Sequence, residues 1–530
     1  MKTAHVDTFA RDNLPPREQW PEFRFDLPAL QYPERMNCAA VLLDDQVRAG
    51  HANRIALRAA DGECTYAQLQ AQANRMANLL VREMGLKPGN RVLLRGPNNP
   101  MMAAAWLAVF KAGGICVGTM PLLRAKELTE IVNTAQITHA LCDRRFDAEL
   151  ERGREACPGL RQVRYWYDDG TDASLAAQPA EFDTLDTAAD DVALIAFTSG
   201  TTGKPKGTVH SHRDVVAMCD CFPRSCLKPG KDDIFIGSPP LAFTFGLGGL
   251  LCFPLRFGAS TALVEKFTPE TMLEAIQKFR ATILFTAPTM YRALAAIWKN
   301  YDLRSLGKCV SAGEALPDAT RQVFKQASGI EIIDGIGATE MIHIFISHTP
   351  ETVRRGATGL VIPGYQATVL DEHGKPCAPG AVGRLAVKGP TGCRYLADER
   401  QRNYVQDGWN VTGDAYLMDE DGYFFYQART DDMIISAGYN IAGPEVEGAL
   451  LSHPAVAECG VVGVPDEERG MVVKAYVVLK SGAPGEALEK ELQEHVKRTI
   501  APYKYPRQIE FVAALPRTET GKLQRFKLRT

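Results

Sequence analysis

The stretch VALIAFTSGTTGKPKGTVH, residues 192–210, carries the densest set of side chains suited to chemistry. Val192 to Phe197 is an apolar run of strand length that passes directly into Thr198, Ser199, Gly200, Thr201, Thr202, Gly203, Lys204, Pro205, Lys206 and Gly207. That order predicts a buried strand ending in a flexible polar loop. Hydroxyls donate to phosphate oxygens, glycines admit close backbone approach and lysines compensate charge, so a phosphate-bearing nucleotide is the natural guest. It is not a Walker A loop, because no GxxxxGK[ST] spacing fits and Lys204 is followed by proline. The competing reading is a structural Gly/Ser/Thr loop with solubilising lysines.

Two later segments repeat the same delivery of polar groups from a strand. KCVSAGE, residues 308–314, sets Gly313 at a strand-to-turn transition, with Pro317 opening the helix that follows. Ile330–Ile333 leads into one short loop of Asp334, Gly335, Ile336, Gly337, Ala338, Thr339 and Glu340. The repetition predicts a single cleft assembled from several strand ends. Further on, Asp414 reads as a turn residue, with a hairpin-like FFYQ before Arg429.

The elements that must position these groups follow an α/β alternation. Tyr66, Leu69, Ala73, Met76, Ala77 and Leu80 form a helical face, and GLKPGNRVLLRG reads as a turn followed by a strand. Met101 to Val117 is the longest strongly apolar stretch, but Lys111 and Gly113–Gly114 interrupt it. A buried helix and turn therefore suits it better than a membrane span of about 20 residues. Residues 1–35, rich in proline, arginine and aromatics, predict an irregular extension over the first domain. Residues 145–190 are the least informative.

The 530 residues carry 60 basic and 63 acidic side chains, a net charge of −3 that gives no reason to expect nucleic-acid binding or stable membrane insertion. Thirteen cysteines without a repeated CxxC pattern favour a reduced compartment over a disulfide framework. The N-terminus lacks the apolar core of a secretory signal, so a cytoplasmic protein is expected.

TSGTTGKPKG resembles the phosphate loop of the adenylate-forming enzymes, the superfamily of acyl-CoA synthetases, luciferases and peptide-synthetase adenylation domains. The resemblance extends, in order, through SAGE at 311–314, DGIGATE at 334–340, TGD at 412–414, RTDDMI at 429–434, SAGYNI at 436–441 and PRTETGK at 516–522. HVDTFARDNLPPREQWP and GIGATEMIHIF are similar to benzoate- and 2-aminobenzoate-CoA ligases. The resemblance implies a large multi-subdomain α/β adenylation region over residues 1–430 and a small mobile α/β domain over residues 431–530. It also implies an ATP-dependent aryl-CoA ligase that uses Mg²⁺, takes coenzyme A as cosubstrate and passes through an acyl-adenylate, releasing AMP and pyrophosphate.

By the same resemblance, Thr198, Ser199, Gly200, Thr201, Thr202, Gly203 and Lys206 contact the polyphosphate, Thr339 contacts phosphate and Glu340 helps hold Mg²⁺. Gly313, Glu314, Asp334, Gly335 and Ile336 lie near the adenosine; Ile336 replaces the family's frequent stacking aromatic. Asp414 accepts the ribose hydroxyls, against the plain reading of an Asp turn, and Arg429 also reaches the nucleotide. Lys522 meets the carboxylate and α-phosphate, against the reading of a surface lysine in a tail. Asp431 is the hinge, although with Asp432 it also reads as a charged linker, and Gly438 lines the pantetheine path.

Ala242, Phe243, Gly248, Ala312, Ala338 and His343 are the candidate acyl-pocket residues, small and apolar groups that favour a compact planar ring. His343 reads either as a polar-group partner or as a satisfied core histidine. The expected partner is a small aromatic carboxylic acid, most simply 2-aminobenzoate or benzoate, and the expected state is a monomer or homodimer. The alternatives are a medium-chain acyl-CoA ligase, an enzyme that hands its acyl group to a carrier protein, and a non-catalytic nucleotide-binding protein.

Overall fold

A computed structural model describes residues 2–198, 205–430, 432–436, 439–466, 469–518 and 522–529. Helices cover two central sheets of the large N-terminal region. The first runs in the order Gln162–Trp166, His139–Asp143, Arg91–Arg95, Ile115–Thr119, Val192–Thr198 and Lys206–Ser211, parallel except for the last pair. The second has nine strands, its parallel centre running from Ile332–Gly337 through Lys308–Ser311, Ile283–Thr286, Ile234–Gly237 and Ser260–Ala262 to Ile55–Ala59. Burial on both faces explains why Val192–Thr198 and Ile283–Thr286 read as continuous apolar runs rather than alternating ones.

Helix Pro100–Lys111 packs between elements of the core. Asn99 caps it by accepting from the Met102 N–H, Pro100 opens it, and Met101 through Lys111 are all buried. An apolar circumference of this kind marks a core helix. Lys111 does not break the pattern at a surface: it is 1% exposed and donates to both carboxylate oxygens of Asp44 at 2.6 and 2.7 Å. Helix Tyr66–Asn78, which buries the apolar face expected of it, starts with a capping box between Thr65 and Gln68. Among the described residues, no helix is long and apolar enough to cross a membrane.

A third sheet carries the hairpin of Trp409–Met418 and Phe424–Arg429. The small C-terminal sheet runs Tyr439–Ile441, Ile434–Ser436, Gly470–Leu479, Val456–Asp466, with Gln508–Phe511 parallel to Gly470–Leu479. Helices Gly443–Leu451 and Glu486–Thr499 bury Val446, Leu450, Leu492 and Val496 against it. The chain is thus a large α/β region followed by a smaller α/β unit. Asp431, the expected boundary, lies outside the described residues.

Two local expectations are corrected. Asp334, Gly335, Ile336 and Gly337 belong to the strand Ile332–Gly337 rather than to a loop, because Gly335 and Ile336 pair with Ser347 and Ile346. Asp414 sits inside the strand Trp409–Met418, opposite Arg429; the turn signal came from Gly413, whose φ of +77° kinks the strand without ending it. The uninformative stretch 145–190 holds helices Asp147–Arg154 and Asp169–Ala177 and the strand Gln162–Trp166. Residues 1–35 form short turns laid over the first region, with Asp7 paired to Arg91 at 2.5 Å.

Candidate active site

Strand Lys206–Ser211 brings Lys206, Thr208 and His210 to one face by simple alternation. From that face Lys206 Nζ reaches the Tyr395 hydroxyl at 3.5 Å, and His210 Nε2 lies 2.8 Å from the Thr339 carbonyl. Thr339 and Glu340 form the 3-10 turn Thr339–Met341 that directly follows strand Ile332–Gly337 and Ala338. Glu340 Oε1 accepts a hydrogen bond from the Tyr395 hydroxyl at 2.5 Å. Burial first, and then the Glu340 charge, hold the Tyr395 phenol far above its ordinary range. It is therefore a permanent donor that orients the carboxylate.

Thr198 ends its strand half-buried, paired in register with Lys206. Ser199, Gly200, Thr201, Thr202, Gly203 and Gly438 lie outside the described residues. Asp414 takes a hydrogen bond from Arg429 at 3.1 Å, and its backbone N–H donates to Thr412 Oγ1 at 3.3 Å. Burial raises the Asp414 pKa, and the Arg429 guanidinium opposes that shift. Asp334 is 7% exposed, with Oδ1 lacking a hydrogen-bond partner in the structure. Burial pushes its pKa up to about 7 against the pull of Arg321.

Lys522 is exposed on a tight reversal in which its N–H donates to Thr518 Oγ1 at 3.0 Å and the Thr518 N–H donates back to its carbonyl at 2.7 Å. This reversal lies over the end of strand Lys308–Ser311. A Cβ placed on Gly313, whose φ is +90°, would stand 3.7 Å from Lys522 Cε. Arg517 Nη1 is 3.9 Å from Glu314 Oε1. Burial raises the Glu314 pKa, and Arg517 and Lys522 draw it back. Ala312, Gly313, Glu314 and Lys522 thus converge, although more than 200 residues of chain separate the lysine from the rest.

Of the acid-pocket candidates, Gly248 lies directly against His343. A Cβ on Gly248 would lie 2.4 Å from His343 Cδ2, so glycine is the side chain that lets the imidazole seat there. Phe253, Phe245 and Phe222 surround that ring with centroids at 4.5, 5.6 and 6.0 Å. Burial lowers the His343 pKa to about 3, and its Nε2 is 3.4 Å from the Phe245 carbonyl, so the ring is neutral. Ala242 and Ala312 are buried, Phe243 and Ala338 half-buried, and the Ala242 Cα would stand 3.0 Å from a Cβ on Gly118. Cavities of about 500 and 700 Å³ elsewhere, one beside Tyr32 and Asn37 and the other beside Trp298 and Asp302, contain none of these residues.

Tyr395, His210 and the phenylalanine cage were not anticipated from sequence. The alternation of Lys206, Thr208 and His210 was the one local signal that could have placed His210 beside the polar loop. Nothing local to GCRYL marks Tyr395, whose partner Glu340 is 55 positions away.

Among the described residues, no three His, Cys, Asp or Glu side chains form a metal cage. A single oriented carboxylate, Glu340, instead suits Mg²⁺, which keeps several waters and binds through one or two carboxylates together with substrate phosphates. The residues present therefore fit that ion.

Comparison with known proteins gives the chain a family. The AMP-binding enzyme family matches residues 43–395, and the AMP-binding enzyme C-terminal domain matches residues 445–522. A benzoate–CoA ligase of Thauera aromatica is 35% identical over 514 residues, covering 95% of this chain and 97% of the relative. An anthranilate CoA ligase, AuaEII, solved in complex with anthranoyl-AMP, superposes with a TM-score of 0.90 at 35% identity, covering 95% of this chain and 98% of that one. A benzoate CoA ligase from Burkholderia xenovorans LB400 does so at 0.86 and 32%, covering 93% and 100%. The chain belongs to the adenylate-forming acyl/aryl-CoA ligase superfamily, closely related to its benzoate- and anthranilate-CoA ligases.

Proposed function

We propose that this protein is an ATP-dependent aryl-CoA ligase that activates 2-aminobenzoate or benzoate. The observation that carries the reading is the placement of Lys522 against Gly313 and Glu314, at the end of a strand neighbouring the one that leads to Thr339 and Glu340. A carboxylic acid is already ionised near neutral pH and needs no general base. One of its oxygens forms a bond to the α-phosphorus of ATP as the bond to the β-phosphate oxygen breaks, giving acyl-AMP and pyrophosphate. The thiolate of coenzyme A then bonds to the acyl carbon, and AMP leaves.

In this reading Thr198, Ser199, Gly200, Thr201, Thr202, Gly203, Lys206 and Thr339 bind the polyphosphate. Lys522 stabilises the charge that grows on the reacting oxygens. Glu340 would hold Mg²⁺, which neutralises phosphate charge when bound. Asp414 accepts the ribose hydroxyls, with Arg429 opposing the upward push of burial on its pKa. Asp334, Gly335 and Ile336 flank the base. Residues 431–530 move as a unit about Asp431 between the two half-reactions, and Gly438 then lines the path of the pantetheine arm.

The acid lies against Ala242, Phe243, Gly248, Ala312 and Ala338, with His343 at the far wall. Small residues on one side and a packed phenylalanine cage on the other suit a flat ring better than an alkyl chain. The test is CoA-dependent AMP formation with 2-aminobenzoate, benzoate, hydroxybenzoates and a medium-chain acid. The reading expects kcat/KM to be highest for 2-aminobenzoate or benzoate; preference for the aliphatic acid would overturn it.

A further inference from the structure

The turn Thr339–Met341 is followed at once by Ile342, a buried β-branched residue with φ +63° and ψ −37°. Such a backbone is strained and persists only where its surroundings over-determine it. The surroundings are specific. The Thr339 carbonyl accepts from the Ile342 N–H at 3.1 Å and from His210 Nε2 at 2.8 Å. The Met341 carbonyl accepts from Thr391 Oγ1 at 2.9 Å, and Tyr395 holds the Glu340 carboxylate.

Behind His210 stands a second layer. His210 Nδ1 faces the carboxylate of Asp214 at 3.7 Å, an ion-pair rather than a hydrogen-bond distance that is attractive when both ring nitrogens carry protons, and that carboxylate is paired with Arg394. Exposure of the three side chains is 0, 0 and 3%. Burial alone would raise the Asp214 pKa, but the Arg394 charge and His210 hold it well below the ordinary carboxylate range. The Arg394 guanidinium in turn lies 5.4 Å from the Trp20 ring centroid and 5.3 Å from that of Phe23. Both aromatic residues belong to the N-terminal extension, which is tied down nearby through Arg24 N–H to Gly389 O at 2.9 Å.

We propose that Arg394, Asp214 and His210 form a positioning relay through which the N-terminal extension holds the Thr339–Glu340 turn in its strained, Mg·ATP-binding form. Arg394 and Tyr395 are consecutive, so one short segment braces the turn twice: Tyr395 directly at Glu340, Arg394 through Asp214 and His210 at the Thr339 carbonyl. A buried ion pair contributes little net stability but specifies one arrangement of its neighbours. Here that arrangement fixes the direction of the Thr339 carbonyl. The relay gives the extension a part in the chemistry. This inference rests on the assignment of the turn to Mg·ATP binding.

The test is Mg·ATP affinity by calorimetry, with thermal unfolding alongside, for the full-length protein and for His210→Ala, His210→Gln and the double variant Trp20→Leu/Phe23→Leu. His210→Ala is expected to weaken Mg·ATP binding about tenfold, the lower end of what loss of an outer-shell partner does to a metal site. His210→Gln, whose amide N–H can reach the carbonyl, is expected to recover most of the loss. The extension variant is expected to show a smaller loss of the same kind, with affinity for CoA unchanged in all three. Unchanged Mg·ATP affinity in folded His210→Ala, or equal weakening for Mg·ATP and CoA, would overturn the relay while leaving the ligase reading intact. Absence of Mg·ATP binding by the parent protein would overturn the ligase reading and the relay with it.

Discussion

The turn Thr339–Met341 is tied from three sides by His210, Thr391 and Tyr395, all of them buried, whereas the exposed Lys522 is fixed by backbone bonds to its near neighbour Thr518. The contrast suits the roles proposed for the two. A group that orients polyphosphate gains from preorganisation, since donors and carboxylates that need not rearrange act at full strength. A lysine needed for one half-reaction and out of place in the other gains from an attachment that is easily displaced. Two contacts between the C-terminal unit and the large region are of this kind: Arg517 Nη1 stands 3.9 Å from Glu314 Oε1, and Arg292 Nη2 reaches the carbonyls of Leu451 and Val456 at 3.4 Å each.

The largest expected effect comes from removing the lightly held partner. Lys522→Ala should slow acid-dependent pyrophosphate release by roughly 10²–10³-fold, the usual cost of losing one transition-state charge partner. Thioester formation from supplied acyl-AMP should stay within a few-fold of the parent. Loosening the braced partner should act differently. Tyr395→Phe frees the Glu340 carboxylate, and we expect Mg·ATP to bind about tenfold more weakly, with both half-reactions retaining their rates at saturating Mg·ATP. An unchanged Mg·ATP affinity would mean the turn does not depend on that bond.

Gly248→Ala asks whether the wall around His343 is as rigid as the turn. Its new methyl would stand 2.4 Å from Cδ2 and 2.8 Å from Nε2 of the imidazole, and overpacking of this kind costs about 1–3 kcal/mol. Thermal unfolding should register that loss, and His343→Ala in the same background should restore it. If Gly248→Ala alone unfolds like the parent, the wall yields and the comparison with the turn is blunted.

Asp334 gives the most selective signal. Its pKa is raised from 3.8 to about 7, so between those values the folded chain keeps a proton that the unfolded chain has lost. Stability contributed by this group is therefore present below the lower value and is lost as pH rises through the upper one. Asp334→Asn removes the slope, and its unfolding midpoint should gain on the parent's across that window. Parallel curves would contradict the assignment.

What the sequence made legible was local. The strand Val192–Thr198 and the helix face of Tyr66–Asn78 follow from apolar periodicity and glycine placement, whereas the ordered motifs came from the resemblance to adenylate-forming enzymes. The candidate site was legible as a set of residues, but not as an arrangement. Asp414 read as a turn because Gly413 supplies a positive φ, while only pairing with Phe424–Arg429 shows it to be a strand residue. The DGIG stretch read as a loop because its strand character comes from Ile344–Ser347 across the ladder, an interaction that no window on the segment contains. Tyr395, His210, Asp214 and Arg394 carry no motif of their own; apart from His210 and Asp214, four positions apart, they meet through contacts that span 55 to 180 positions.

The central claim is that a fixed nucleotide turn and a lightly held lysine serve different steps. Its most direct test is a single-turnover comparison of Lys522→Ala and Tyr395→Phe, scoring acyl-AMP formation and thioester formation separately at limiting and saturating Mg·ATP. The account predicts that Lys522→Ala loses adenylation at both concentrations and keeps thioester formation, while Tyr395→Phe loses adenylation at limiting Mg·ATP alone. Equal loss of both half-reactions in Lys522→Ala, or a Tyr395→Phe defect that saturating Mg·ATP does not relieve, would contradict it.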